Sequence, residues 1–256
     1  MELNKIYQED CLDTMERMPD NFIDLVVTSP PYDNLREYNG YSFDFQKTTN
    51  QLYRVVKNNG VVVWVIGDET KNGSESGSSF KQALYFKEVG FNLHDTMIFE
   101  KNSPAYPASR KSNRYTQIFE YMFIFSKGKP SANLICDKQN KWYGFKDFSN
   151  KLKNPVPEFS PRTNIWKYTT SFNGVNHPAP FPEQLAEDHI LTWSNIGELV
   201  YDPFMGSGTT AKMALINGRS FIGSEISKEY VDTAEKRIKD IVDKTKTSEL
   251  SNKFFK

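Results

Sequence analysis

A chain that sets Asp202-Pro203-Phe204-Met205-Gly206-Ser207-Gly208-Thr209-Thr210 between an apolar run and a helical one has few folds open to it. Leu199-Val200-Tyr201, ahead of it, reads as a buried strand. Ala211 to Asn217, behind it, has the Ala, Met, Leu and Ile spacing of a helix packed on a sheet. Strand, tight Gly-x-Gly turn and helix make the first half of a nucleotide-binding unit. Gly206 and Gly208 permit positive φ and let a ligand come close to bare backbone. A second strand, Phe221-Ile222-Gly223-Ser224, ends at Glu225, about twenty residues past the turn, the usual distance to a carboxylate that takes a pair of ribose hydroxyls. Asp202 and the pair Thr209-Thr210 flank the glycines with groups able to bond an ammonium or a carboxylate. No Gly-Lys-Ser/Thr follows the turn, so the expected ligand is adenosine-like and carries no triphosphate.

A second motif lies far away in sequence. Ile23-Asp24-Leu25-Val26-Val27 is a strong strand that runs into Thr28-Ser29-Pro30-Pro31-Tyr32. Consecutive prolines cannot donate to a sheet ladder, so the strand stops there, and each residue before a proline is held extended. A stiff loop at the carboxyl end of a strand is where open α/β sheets place their ligands. The Ser29 hydroxyl and the Pro30 carbonyl are placed to accept both hydrogens of an exocyclic amine on a base. Such an amine is a poor nucleophile because its lone pair is delocalised into the ring. Fixing its hydrogens rehybridises the nitrogen and aims the lone pair at an electrophilic methyl group. Tyr32 offers a flat face on which an extruded base can stack.

Between the motifs the chain alternates. Leu3–Tyr7 reads as a strand, Leu12–Met18 as a short helix, 33–47 as a mobile polar and aromatic segment, and Thr48–Lys57 as a helix stopped at Asn58-Asn59-Gly60. Val61–Ile66 is a continuous apolar strand of the kind buried on both faces. Lys71–Ser79, rich in Gly and Ser, reads as a flexible loop, Phe80–Val89 as a helix ended by Gly90, and His94–Glu100 and Ile118–Ser126 as strands. From Gly128 to Phe172 periodicity fades into irregular and short β structure. Glu183–Ser194 and Lys228 to about Val242 read as helices, and Lys244–Lys256 as a polar tail.

The 256 residues suffice for one large α/β domain with an insert. No apolar run of eighteen residues and no signal-peptide core is visible, which points to a cytoplasmic protein without a membrane span. Cys11 and Cys136 are too few for a disulfide framework, and His94, His177 and His189 lack ligand spacing, so no metal is expected. Net charge is zero, yet thirteen Lys or Arg stand against four Asp or Glu between Lys101 and Tyr168. Tyr106, Tyr115, Trp142, Tyr143 and Trp166 interleave that basic stretch, as on many nucleic-acid surfaces.

Taken together, Ser29-Pro30-Pro31-Tyr32 and Asp202 to Thr210, in this order around a basic centre, resemble the S-adenosylmethionine-dependent DNA amino-methyltransferases of the permuted beta class, over about Tyr7 to Ile238. The resemblance implies a Rossmann-like, doubly wound mixed α/β sheet of the class I methyltransferase type, circularly permuted, with an inserted target-recognition region. The chain then divides into a catalytic part at 1–127, a basic recognition insert at 128–168, a cofactor-binding part at 169–243 and a polar tail at 244–256. Ser29, Pro30, Pro31 and Tyr32 match the catalytic tetrapeptide. Asp202, Pro203, Phe204, Gly206, Ser207, Gly208 and Thr209 match the loop for S-adenosyl-L-methionine, and Glu225 matches the ribose acid. Glu9-Asp10-Cys11 resembles a Gly-Asp-Cys motif with Glu9 in the glycine position, which brings Asp10 and Cys11 near the cofactor. His177-Pro178-Ala179-Pro180-Phe181-Pro182 resembles the segment before the first cofactor-side helix, which places His177, Pro178 and Phe181 near the methionine moiety. The implied substrate is double-stranded DNA with the target base flipped out. Lysines of the insert and Lys111 would grip phosphate, while Arg110, Arg114 and Arg162 would read guanine edges. The class also brings a homodimer and a cognate restriction endonuclease as partners, neither specified by any residue here.

Serine at position 29 resembles the form common among cytosine-N4 enzymes, and the same reaction on adenine N6 is the alternative. Attack at cytosine C5 would need a thiol in a loop, and neither cysteine follows a proline in one. A dinucleotide oxidoreductase would use Gly-x-Gly and Glu225 but leaves Ser-Pro-Pro-Tyr unexplained. A DNA-binding regulator with an inactive methyltransferase fold leaves two intact motifs without a purpose.

Overall fold

The structure, a computed structural model, describes residues 1–31, 44–104, 111–144, 155–169 and 182–254. Tyr32, Tyr106, Arg110, His177, Pro178 and Phe181 lie outside the described residues, as does most of the 33–47 segment. In chain order the elements are β1 (Lys5–Tyr7), α1 (Cys11–Glu16), β2 (Ile23–Thr28), α2 (Phe45–Val55), β3 (Val56–Ile66), β4 (Thr70–Lys71), β5 (Ser74–Glu75) and α3 (Ser78–Val89). There follow β6 (Asn92–Lys101), β7 (Phe119–Ser126), β8 (Lys138–Gln139), β9 (Phe159–Ser160), β10 (Ile165–Tyr168) and α4 (Glu183–Trp193). The chain closes with β11 (Leu199–Asp202), α5 (Thr209–Ile216), β12 (Ser220–Ser224) and α6 (Lys228–Phe254).

Eight strands form one mixed sheet in the order β1-β12-β11-β2-β3-β7-β6-β10. The five from β1 to β3 are parallel, β7 runs antiparallel to both neighbours, and β10 is parallel to β6. The apolar runs explain the double winding. Side chains alternate across a strand, and in β3 Val61, Val63 and Val65 enter one core while Val62, Trp64 and Ile66 enter the other. The first core is closed by α4, α5 and α6 through Leu185, Ile190, Ala211, Val231 and Ala234. The second is closed by α1, α2 and α3 through Met15, Leu52, Val55 and Phe86. Phe86 stacks on Phe125 at 4.1 Å, and the buried Trp64 donates Nε1–H to Gln82 Oε1 at 2.8 Å. Truncating a ring buried like Phe86 to alanine costs about 3–5 kcal/mol.

Sheet order fixes where the motifs meet. β2 leads through α2 to β3 on one side, and β11 leads through α5 to β12 on the other, while β2 and β11 pair directly, Val200 beside Leu25 and Tyr201 beside Val26. The crevice therefore opens at the carboxyl ends of β2 and β11, where the winding changes direction.

Several stretches depart from the sequence reading. Residues 45–47, expected in the mobile segment, begin α2, and residues 56–60, expected as a helix end and its stop, are already part of β3. The Gly/Ser-rich 71–79 stretch contains the β4–β5 hairpin and the start of α3. Within the basic insert, β8 and β9 form a separate two-stranded unit, whereas β10 joins the edge of the main sheet with Trp166 and Tyr168 turned inward. The last helix continues to Phe254, beyond the Val242 expected from its apolar spacing.

Candidate active site

The two motifs are bonded to each other. Thr28, fully buried at the end of β2, donates its hydroxyl to Asp202 Oδ1 at the end of β11 across 2.6 Å. The same oxygen accepts the Phe204 N–H at 3.0 Å. Thr210, on the first turn of α5, donates to the Val27 carbonyl at 3.1 Å and ties that helix to β2 as well. Burial raises the Asp202 carboxyl to about 6, and the Thr28 and Phe204 hydrogen bonds only partly offset it.

Beyond Asp202 the chain turns sharply and folds onto the next strand. Gly206 donates its N–H to Glu225 Oε2 at 2.8 Å, and Ser227 donates to Glu225 Oε1 at 2.9 Å. Met205 N–H bonds the Ser224 carbonyl at 2.9 Å. Gly208, at φ 81°, caps α5 so tightly under α6 that a Cβ there would lie 2.7 Å from Ala234 Cβ. Burial raises the Glu225 carboxyl above its ordinary range despite the backbone donors. An ionised carboxylate has about four lone-pair sites, so each Glu225 oxygen that holds a backbone N–H can accept a further hydroxyl.

Asp10 caps α1, its Oδ1 accepting Leu12 N–H at 2.8 Å. Glu9, in the position where the family motif has glycine, accepts from Thr14 Oγ1 at 2.6 Å and pairs with Arg17, which holds its carboxyl below the usual range. The Glu9 side chain therefore has local partners at the start of the helix. Cys11 is buried beside Thr48, and burial pushes its thiol up to about 12, so it is no thiolate nucleophile at neutral pH.

These pieces enclose one cleft of about 480 Å³, its open mouth included. Ser29 and Pro31 form one wall, and Pro203, Phe204 and Gly206 the facing turn. Ser224, Glu225 and Ile226 come from the end of β12, and Glu9 and Cys11 from the end of β1. Phe204 is braced edge-on against Trp64 at 6.2 Å. Ser224, Ile226 and Glu9 carry no motif of their own in the sequence. Their signal is position alone, since each flanks a residue that does. Ser207 and Thr209 sit buried on the far side of the turn, bonded to Arg237.

The basic region is less uniform than its composition. Lys111 and Arg114 are exposed, with Arg114 bonded to the Gly73 carbonyl and 3.8 Å from Glu75 of the β4–β5 hairpin. Tyr115, Trp142 and Tyr143 are also exposed. Arg162 differs: it meets Asp137 Oδ2 at 2.5 Å and Asp188 Oδ2 at 2.6 Å, which binds the insert to α4 and engages its donors within the protein. Trp166 is buried and stacks on His189 at 4.7 Å. Among the described residues no helix is long and apolar enough to cross a membrane.

A family model for N6/N4 DNA methylases matches residues 23–236. The orphan methyltransferase M.BamHII of Bacillus amyloliquefaciens is 58% identical over 248 residues, covering 89% of this chain and 92% of its own. The type II methyltransferase M.BglII of Bacillus subtilis is 28% identical, over 91% of this chain and 68% of its own. Among solved structures, the cytosine-N4-specific PvuII DNA methyltransferase superposes with a TM-score of 0.70 at 23% identity, over 91% of this chain and 85% of that one. M1.HpyAVI in complex with SAM gives 0.62 at 28% identity, over 91% and 98%.

Proposed function

The chain belongs to the N6/N4 DNA methylase family, and from that premise we propose that it methylates the exocyclic N4 amine of a cytosine flipped out of double-stranded DNA, with S-adenosyl-L-methionine as its cofactor. The observation that carries this reading is the shared cleft. Ser29 and Pro31 line the same cavity as Phe204, Gly206 and Glu225, so an amine held by the first set faces a ligand held by the second.

The residues present fit that cofactor. Glu225 retains acceptor capacity for two ribose hydroxyls, the Gly206 backbone lies bare at the wall, and Phe204 gives a flat apolar face for an adenine. Glu9 and Cys11 close the cleft beyond the end of β1, with Asp10 between them capping α1, and the resemblance assigns Asp10, His177, Pro178 and Phe181 to the cofactor. When bound, the cofactor supplies an electrophilic methyl group on a sulfonium sulfur. The protein's part is to place the amine. The Ser29 hydroxyl and the Pro30 carbonyl accept the two amine hydrogens and turn its lone pair toward the methyl carbon. Tyr32 stacks on the extruded base. Flipping costs roughly a few kcal/mol of unstacking, which phosphate contacts from lysines of the basic region, Lys111 among them, offset. No covalent bond to the protein is needed, which agrees with a buried, protonated Cys11. Positioning and electrostatics then carry the rate.

Serine at position 29 favours cytosine, as in the family's Ser-Pro-Pro-Tyr members, and the superposable PvuII enzyme is named cytosine-N4-specific. Ser29→Ala tests the mechanism: cofactor affinity stays as in wild type while the methylation rate falls by about 10²-fold. An unchanged turnover rate removes Ser29 from the chemistry.

A further inference from the structure

Behind the glycine turn, three helices distant in sequence meet at one carboxylate. Glu183, the first residue of α4, accepts from Lys212 Nζ of α5 at 2.6 Å and from Arg237 Nη2 of α6 at 2.7 Å. The other arm of the Arg237 fork turns to the cofactor loop. Its Nη1 donates to the Ser207 carbonyl at 2.5 Å and to Ser207 Oγ at 3.0 Å, and it reaches Thr209 Oγ1 at 3.4 Å. A guanidinium is planar and rigid, so seating one edge on Glu183 sets where the other edge holds Ser207. The Arg237 side chain is 17% exposed and that of Glu183 32%, so solvent screens this pair less than a surface pair. Burial would raise the Glu183 carboxyl, but Lys212 and Arg237 outweigh it and hold it below its ordinary range, which keeps the cluster ionised at neutral pH.

We propose that Arg237, seated on Glu183, is a positioning residue for cofactor binding, which holds the Ser207–Thr209 turn in place and locks it to the start of α4. The inference rests on the reading of the cleft as the S-adenosyl-L-methionine site. Arg237 does not line that cleft. It acts through Ser207, whose neighbour Gly206 bonds Glu225 and forms the wall. It also acts through Glu183, which directly follows the 177–182 segment that the family resemblance places near the methionine moiety. One side chain thus ties the Ser207–Thr209 turn to the start of α4.

Calorimetric titration with S-adenosyl-L-methionine, paired with kcat at saturating cofactor, tests this on Arg237→Met, Arg237→Lys and Glu183→Gln, with Glu225→Gln as a marker of the cleft itself. Arg237→Met should weaken cofactor binding about tenfold and Glu183→Gln about threefold, with kcat within about twofold of wild type. Arg237→Lys should recover part of the loss, because a single ammonium reaches Ser207 or Glu183 but not both in a fixed fork. If Glu225→Gln weakens binding while the Arg237 and Glu183 variants bind as wild type, the positioning role is overturned and the cofactor site stands. If Glu225→Gln also binds as wild type, the site and the positioning role fall together. Unchanged affinity with a lost kcat in the Arg237 variants overturns the proposal too. Should Arg237→Met not fold, Glu183→Gln and Arg237→Lys decide by the same criterion.

Discussion

Thr28 and Asp202, 174 positions apart in sequence, share a 2.6 Å hydrogen bond that joins the end of the strand leading into Ser29-Pro30-Pro31 to the end of the strand leading into the glycine turn. The bond lies where the sheet reverses its winding, and both residues are buried. Thr28→Val keeps the shape and removes the donor, which leaves an ionised carboxylate with less solvation. We expect a loss of about 1–3 kcal/mol in urea unfolding at pH 7, and a smaller loss at pH 5, where Asp202 is largely protonated. Thr28→Ser should restore most of it. Equal losses at both pH values would show that the bond to the ionised carboxylate is not what the threonine provides.

A role for Asp202 beside the proposed cofactor site makes a pH prediction. Its folded pKa, about 6, lies above the ordinary 3.8 because of burial. Its protonation therefore contributes stability that is present below about pH 4 and is lost as pH rises through about 6. A cationic ligand nearby favours the opposite, ionised form. Affinity for S-adenosyl-L-methionine should fall several-fold between pH 7 and pH 5, while Asp202→Asn binds more weakly at pH 7 and shows a shallower profile, since Glu225, also raised by burial, still titrates. Titration calorimetry at a series of pH values checks this, and parallel profiles for the two proteins would refute it.

His189 predicts a different pH effect, on stability alone. Stacked on Trp166 and touching Met122 Sδ at 3.3 Å, it has no partner for Nδ1 among the described residues, and burial lowers its pKa to about 3 from 6.5. A neutral buried histidine contributes stability that is fully present above pH 6.5 and is lost as pH falls toward 3. His189→Phe keeps a ring on Trp166 and removes the titration. Relative to wild type, the variant should gain about 1.4 kcal/mol per pH unit below 6.5, or about 2 kcal/mol at pH 5. Denaturation curves that stay parallel from pH 7 to pH 5 would rule this out.

Gly208 is the position where a side chain has nowhere to go. Its φ of 81° strains any L residue, and the added Cβ meets Ala234 of α6. Gly208→Ala should lower stability by about 2–4 kcal/mol and weaken cofactor binding with it, since α6 must shift and Arg237 with it. Ala234→Gly in the same chain removes the nearest atom but leaves the Ala234 Cα at 3.1 Å and the φ unchanged, so it should rescue only part of the stability loss seen by thermal unfolding. Full rescue would place the cost in packing alone.

The turns that line the candidate cleft were legible because they depend on local backbone geometry. Proline pairs and Gly-x-Gly turns dictate strand ends wherever they occur, and Val61–Ile66 could only be a buried central strand. What escaped the sequence was pairing between distant segments. Nothing local says that Ile165–Tyr168 adds to the far edge of the sheet beside β6, or that Thr28 seeks Asp202. Composition made Arg162 look like the other cations of the basic stretch, yet two carboxylates, one of them on α4, engage its donors. Arg237 stands in an ordinary amphipathic helix pattern, and only the packed structure brings it to Ser207 and Glu183. The hairpin within 70–75 was hidden for the opposite reason, since two-residue strands carry too few side chains to show a period.

Methyl transfer to a cytosine amine is read out by the identity of the product. The protein is incubated with unmethylated DNA of mixed sequence and isotopically labelled S-adenosyl-L-methionine, the DNA is digested to nucleosides, and the labelled nucleoside is identified by mass spectrometry. Labelled N4-methylcytosine is expected, abolished or strongly reduced in Ser29→Ala. Labelled N6-methyladenine as the product would contradict it.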